Sequence, residues 1–283
     1  MGLFGKRGPG WEPPSPRCAF IVSCAGPLPA PEALLGDAIP PGTALVVDKT
    51  YDVPTDSGGT LELRVEEAER RAEHIPHEEI WPYVGLTPDL ASRVLEARYD
   101  VGLLLKDPGE SVADTVLEAT KLADRLAGLL DGCVNDLSAM RFFGPGTWRI
   151  PEPLAEVDVR EHMTVHAVPD ERATGSWVHT HGLIKFGRPE FEIYDVPTDM
   201  TEGAAVALND MGQYVLTGAL ISPGETLGDR AVPLHARIGG RDREHWEETP
   251  VLELVDVAED GQPADSGASR GLRAWWPDHF GAA

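Results

Sequence analysis

Cysteines, basic clusters and long apolar runs are all scarce in this chain. Three cysteines, Cys18, Cys24 and Cys133, in 283 residues are too few and too unevenly spaced for a disulfide framework. On one strand Cys18 and Cys24 share a face, so buried thiols are expected there. Lys and Arg number 24 against 47 Asp and Glu, a formal net charge of −23. No local Lys/Arg cluster offsets that field, which repels phosphate backbones and anionic headgroups and excludes nucleic acid and membrane surfaces as expected partners. An acidic surface leaves a basic protein partner open, and oligomeric state is not legible. No apolar run approaches the roughly 20 residues of a membrane-spanning helix. Residues 18–25 follow Lys6, Arg7 and Arg17, but the run is short and Pro9, Pro13, Pro14 and Pro16 interrupt its approach, unlike a signal peptide. Cytoplasmic residence is expected by elimination.

Catalytic signatures are missing too. There is no phosphate-cradling Gly-rich loop with its Lys-Ser/Thr, no dinucleotide fingerprint, no Gly-x-Ser-x-Gly elbow and no His-Glu-x-x-His. Gly58-Gly59 and Gly239-Gly240 read as ordinary turns. No reaction class is therefore defined by motif.

At 42% hydrophobic residues, the chain can bury a sizeable core in one or two domains. The pattern predicts an α+β protein of two β-rich halves with packed helices. Residues 1–16, rich in Gly and Pro, form a flexible leader; 17–150 an N-terminal α/β half; 151–257 a C-terminal α+β half with a His-rich hairpin; 258–283 a loose tail ending in Trp275-Trp276. Strands are expected at 18–25, 43–47, 101–105 and 133–137, and helices at 89–97 and from Ser111 or Asp114 to Leu130, closed by Gly132. The stretch 61–73 fits either a strand or a helix. Strand, helix and strand over 101–137 predict a β-α-β unit. Past Ile150, the best boundary candidate, strands are expected at 159–168, 176–183, 190–196, 234–238 and 251–255. A turn is expected at 169–175 and a helix at 201–220, capped by Thr201.

The hexapeptide Tyr-Asp-Val-Pro-Thr-Asp occurs at 51–56 and again at 194–199. Two accounts compete: a worn tandem duplication, or a shared strand exit in which Pro ends the ladder and Thr or Asp begins a turn.

Chemistry concentrates between His162 and Glu192. His162 and His166 are four apart, His179 and His181 two apart, and each pair shares a face if its segment is extended. In one hairpin register all four imidazoles converge, and Glu192 on the next strand could join them. His162, His166, His179, His181 and Glu192 are thus the candidate metal ligands, with Zn²⁺ the expected ion. The alternative is a set of half-buried histidines satisfied by polar neighbours. His74 and His77 read as surface residues, and His235 could join only through the fold.

Trp177-Val178-His179-Thr180-His181, with Glu192 downstream, resembles the His-x-His core of the JAMM-type zinc isopeptidases. The resemblance implies His179 and His181 as zinc ligands, Glu192 in place of the aspartate ligand and Glu161 as the nominal general base. Pro189 stands where that family has the serine whose hydroxyl meets the oxyanion, and Gly182 replaces a proline. A longer stretch, His179-Thr180-His181-Gly182-Leu183 with Phe186-Gly187-Arg188-Pro189-Glu190-Phe191-Glu192-Ile193 and Ser222-Pro223-Gly224-Glu225-Thr226, is similar to uncharacterised bacterial domains of unknown function over about 159–228. It implies no activity, and makes Gly187, Pro189 and Glu190 parts of a shaped turn. Three functions stay open: a module binding a metal ion or small ligand at a His/Glu-lined site, a JAMM-like zinc hydrolase, and a protein-interaction or regulatory domain.

Overall fold

A computed structural model of the chain describes residues 12–28, 46–68, 75–148, 158–169, 175–227, 233–258 and 261–276. The chain divides into two compact units, one spanning Pro16–Glu161 and the other built on His162–Ala283. Each contains a six-stranded sheet and helices, an α+β architecture. Ile150, residues 43–45 of the strand expected at 43–47 and most of the turn at 169–175 lie outside the described residues; Val46 and Val47 are described and are not in a strand.

In the first unit the strands are β1 (Ala19–Cys24), β2 (Thr50–Pro54), β3 (Thr60–Glu67), β4 (Tyr99–Asp107), β5 (Cys133–Asp136) and β6 (Arg141–Phe143). Their order is β2-β3-β4-β1-β5-β6, and every neighbouring pair is antiparallel. The described part of the ambiguous stretch, through Glu67, is strand, because Leu61, Leu63 and Val65 alternate onto one buried face; residues 69–73 lie outside the described residues. The β-α-β unit forms, but split: β1 pairs with both β4 and β5, so those two run parallel without touching. Helix α1 (Pro88–Glu96) starts where the Thr87 side chain accepts from Leu90 N with proline at the first turn. Helix α2 (Val112–Leu130) is capped by Ser111 and buries Val116, Leu117, Ala123, Leu126 and Leu130 at helical spacing. It ends at Leu130 as expected, but Asp131, not Gly132, takes the left-handed conformation. Gly132 serves a different need: a Cβ there would stand 2.8 Å from the Ser23 carbonyl of β1. Cys18, Cys24 and Cys133 are buried thiols, none of them in a disulfide.

The second unit contains β7 (Thr164–Pro169), β8 (Ser176–His181), β9 (Glu190–Val196), β10 (Thr226–Leu227), β11 (Leu234–Ile238) and β12 (Val251–Asp256), ordered β10-β11-β12-β9-β8-β7. Only β9 and β12 pair in parallel; the rest are antiparallel. Helix α3 (Thr201–Leu216) packs on β7, β8 and β9 through Ala204, Ala207, Leu208, Met211 and Val215. A 3₁₀ turn at Thr198–Met200 leads into it, so Met200 and not Thr201 occupies the cap, and it stops before Gly218 at φ 106°. Helix α4 (Arg243–Trp246) is a single turn between β11 and β12.

Within the segment expected to be a loose tail, the described residues 261–276 are hydrogen-bonded to the sheet. Asp256 N donates to Gly267 O, Ala264 N to Asp256 O, and the Arg237 guanidinium to the Ala264 carbonyl at 3.0 Å. The Asp256 carboxylate accepts from Arg270 N and Gly271 N at the start of helix α5 (Ser269–Trp275), whose Leu272 is buried. The strand orders of the two sheets differ. The first hexapeptide copy lies on edge strand β2 and the second on interior strand β9, which matches a shared strand exit and not corresponding halves of a repeat.

Candidate metal centre

The register of β7 against β8 sets the site. His166 lies directly across from His179 and Thr164 across from His181, so His166, His179 and His181 project from one face. One nitrogen from each of the three rings can be chosen so that all lie within 4.8 Å of one another. Ring centroids are 5.5 Å apart for His166–His179, 5.0 Å for His166–His181 and 5.1 Å for His179–His181.

His162 does not join them. Residues Val159–Glu161 form a 3₁₀ turn in which the Asp158 carboxylate accepts from Arg160 N, so β7 begins only at Thr164 and His162 precedes the pleat. Its buried ring meets the edge of Phe186 at 5.6 Å. His235 lies on β11 and His77 is exposed, both apart from the cluster; His74 lies outside the described residues.

Glu192 does sit beside the cluster, across β8 from His179, but its carboxylate is already committed. Oε2 accepts from Trp246 Nε1 at 2.8 Å, Tyr194 Oη at 2.9 Å and Trp177 Nε1 at 3.2 Å, and Oε1 from Gly240 N at 2.5 Å. Burial pushes its pKa up, and those donors pull it back. Donor bonds to a charged group contribute about 1.5–3 kcal/mol each, enough together to offset the several kcal/mol that burying one ion costs. Glu192 thus fastens β9, the 239–240 loop and α4 together. The glycine pair there is more than a turn: a Cβ on Gly239 would stand 2.4 Å from Glu192 Oε1.

Glu190 is committed elsewhere. It accepts from Thr180 Oγ1 at 2.7 Å, Gly182 N at 2.8 Å and Ile184 N at 3.0 Å. Gly182 at φ 120° and Gly187 at φ 65° bracket the 3₁₀ turn Leu183–Phe186 that this carboxylate closes. The His-Thr-His-Gly and Gly-Arg-Pro-Glu pieces of sequence are therefore the two sides of one hydrogen-bonded turn, with the histidines carried on its strand.

An aromatic wall surrounds the imidazoles. Trp177 stacks on His179 with centroids 3.8 Å apart, and Tyr194 stacks on Trp177 at 5.6 Å. The Arg241 guanidinium lies 4.3 Å from the Tyr194 centroid and pairs with Glu253, which also holds Arg237. His245 was not singled out by the sequence. Its ring comes from α4, with Nε2 3.2 Å from His181 Nε2 and its centroid 4.9 Å from that of His179. A lone histidine in Arg-Asp-Arg-Glu-His-Trp has no spacing partner, so only the fold could place it.

Both ring nitrogens of His179 and Nε2 of His166 are buried without a hydrogen-bond partner among the described residues. Burial, with the neighbouring imidazoles adding, lowers the pKa of His179 strongly and that of His181 to about 3, so both rings are neutral at pH 7 and offer lone pairs. Desolvation likewise lowers His166 and His245. The donor set is all imidazole nitrogen, which suits Zn²⁺, Cu²⁺, Ni²⁺ or Co²⁺ and is wrong for Mg²⁺ or Ca²⁺.

Against the zinc isopeptidase pattern, His179 and His181 fall in the cluster, but the third imidazole comes from the preceding strand as His166 and Glu192 faces the indoles. Glu161 belongs to the other compact unit.

Residues 165–230 match the C-terminal model of a family described as protein of unknown function (DUF4026). The matched segment holds His166, His179, His181 and the turn closed by Glu190, whereas His245 lies beyond it. No curated protein and no solved structure matches the chain. Among the described residues, no helix is long and apolar enough to cross a membrane.

Proposed function

We propose that this protein is a metal-binding module whose ion, of the Zn²⁺ class, is held by His166, His179 and His181. The observation that supports it most is the set of unpaired nitrogens on His179 and His166. A buried polar atom without a partner costs about 1–3 kcal/mol, and each of these two neutral imidazoles keeps one lone-pair nitrogen that is costly to bury unless an ion takes its lone pair. An ion relieves one nitrogen per ring. Stacking on Trp177, in place of an outer hydrogen bond, fixes the orientation of His179.

A purely structural or protein-interaction role leaves that cost unexplained, and a hydrolase of the isopeptidase type lacks both the serine hydroxyl and a free carboxylate at Glu192. Three buried thiols, none of them in a disulfide, support a reducing, cytoplasmic setting, and the net charge of −23 supports a module with no nucleic-acid or membrane partner.

The test is zinc competition against a chromophoric chelator, using untagged, chelator-stripped protein. One equivalent is expected to bind. His166→Ala, His179→Ala and His181→Ala should each weaken it by at least about 100-fold, while His162→Ala leaves affinity within a few-fold. No competition for zinc, or an equal small loss in all four variants, overturns the reading.

A further inference from the structure

Three strand-borne imidazoles leave a tetrahedral ion one position short. We propose that His245 is an exchangeable fourth ligand, and that the position it vacates accepts a small monodentate anion. This rests on the metal-binding reading above.

His245 Nε2 and His181 Nε2 share a ring-to-ring hydrogen bond at 3.2 Å, a separation also close to the roughly 3.3 Å between two nitrogens on one tetrahedral Zn²⁺ with bonds of 2.0–2.1 Å. The four rings differ in how they are held. His166, His179 and His181 are buried or half-buried, and His179 is stacked on Trp177, so neighbouring side chains hem these rings in. His245 has an exposed side chain on a one-turn helix, and the next residue, Trp246, is buried and pinned to Glu192. Rotation about the His245 side-chain torsions therefore moves this imidazole alone, with α4 and the sheet left in place.

A second observation concerns what replaces it. Thr164, on the His166 face of β7 and across from His181, carries a buried hydroxyl with no hydrogen-bond partner among the described residues. Four ligated imidazoles offer that O–H no lone pair, whereas an anion bound to the metal does. Neutral imidazoles also leave the full double charge of the ion uncompensated in a desolvated pocket, which favours an anion over a neutral donor. The incoming group is thus small, anionic and able to accept a hydrogen bond next to its metal-bound atom.

Cobalt(II) loading followed by azide titration tests this, because visible d–d absorption reports the coordination of the ion directly. In the unaltered protein Co²⁺ should give intense four-coordinate bands that azide shifts only at high concentration. His245→Ala should keep Co²⁺ with a weaker affinity and altered bands, and should bind azide at least about 10-fold more tightly, since no ligand must be displaced. Thr164→Val should weaken azide several-fold with Co²⁺ affinity unchanged. If the unaltered protein takes up no Co²⁺, the metal-binding reading itself fails and this one with it. If it takes up Co²⁺ but His245→Ala shows the same bands and the same azide response, the metal site stands and the exchangeable ligand is refuted.

Discussion

Replacing His179 by leucine, a side chain of similar volume, should stabilise the metal-free protein while abolishing the site. The two His179 nitrogens are buried and unpaired among the described residues, and removing each such atom recovers about 1–3 kcal/mol. Against that stands the stack on Trp177 at 3.8 Å, whose loss costs about 0.5–1.5 kcal/mol. The balance favours leucine by about 1 kcal/mol or more. With metal the gap closes and reverses as zinc rises, since an ion adds about 2.7 kcal/mol at 100 times its Kd and about 4.1 at 1,000 times, to the unaltered protein only. Guanidinium unfolding of both proteins, in chelator and again in excess zinc, measures the crossing directly. A leucine variant less stable than the parent in chelator would show that His179 is an ordinary satisfied core residue, and the reasoning from unpaired nitrogens would fall.

Acid should unfold the chelated protein selectively. The unfolded chain takes up protons on histidine near pH 6.5, whereas folded His181 resists protonation down to about 3 and His179 lower still. Stability is therefore whole above pH 6.5 and drains as pH falls toward 3, by up to about 2 kcal/mol per imidazole at pH 5; denaturation at pH 7.5 and 5 should show this slope, reduced in His179→Leu. Glu192→Gln turns an amide toward indole, phenol and backbone donors, so about 2–4 kcal/mol of stability should go while zinc affinity in the folded fraction holds; a variant that loses zinc yet keeps its unfolding midpoint would make Glu192 a ligand. Gly239→Ala, whose Cβ would lie 2.4 Å from Glu192 Oε1, should lower the melting temperature by several degrees, and an unchanged midpoint would mean that the 239–240 loop does not clasp this carboxylate.

Local pattern carried most of the fold. Alternation placed β7 on its faces, Thr87-Pro88 announced α1, and the leucine spacing drew α2, whereas the pattern at β3 fitted strand and helix alike. Long-range facts were out of reach: that β1 inserts between β4 and β5, and that the two Tyr-Asp-Val-Pro-Thr-Asp copies sit on strands with different neighbours. The site was legible in the same proportion. Even spacing brought His166, His179 and His181 onto one face, because pleating acts residue by residue. His162 dropped out because Asp158 caps a turn that delays β7, and an aspartate two residues before an arginine is a weak signal. Glu192, a candidate ligand by spacing, lies beside the histidines, yet its carboxylate is held by indoles at Trp177 and Trp246 and a backbone amide at Gly240, groups up to 54 positions away. His245 arrives from a one-turn helix between two strands, a place that no periodicity marks.

The most direct test of the metal centre is zinc-edge X-ray absorption on the stoichiometrically loaded protein. Nitrogen scatterers at about 2.0 Å with imidazole outer-shell features, and no sulfur at about 2.3 Å, are the predicted spectrum. Thiolate or carboxylate ligation, or a six-oxygen shell of loosely held ion, would contradict the assignment of His166, His179 and His181.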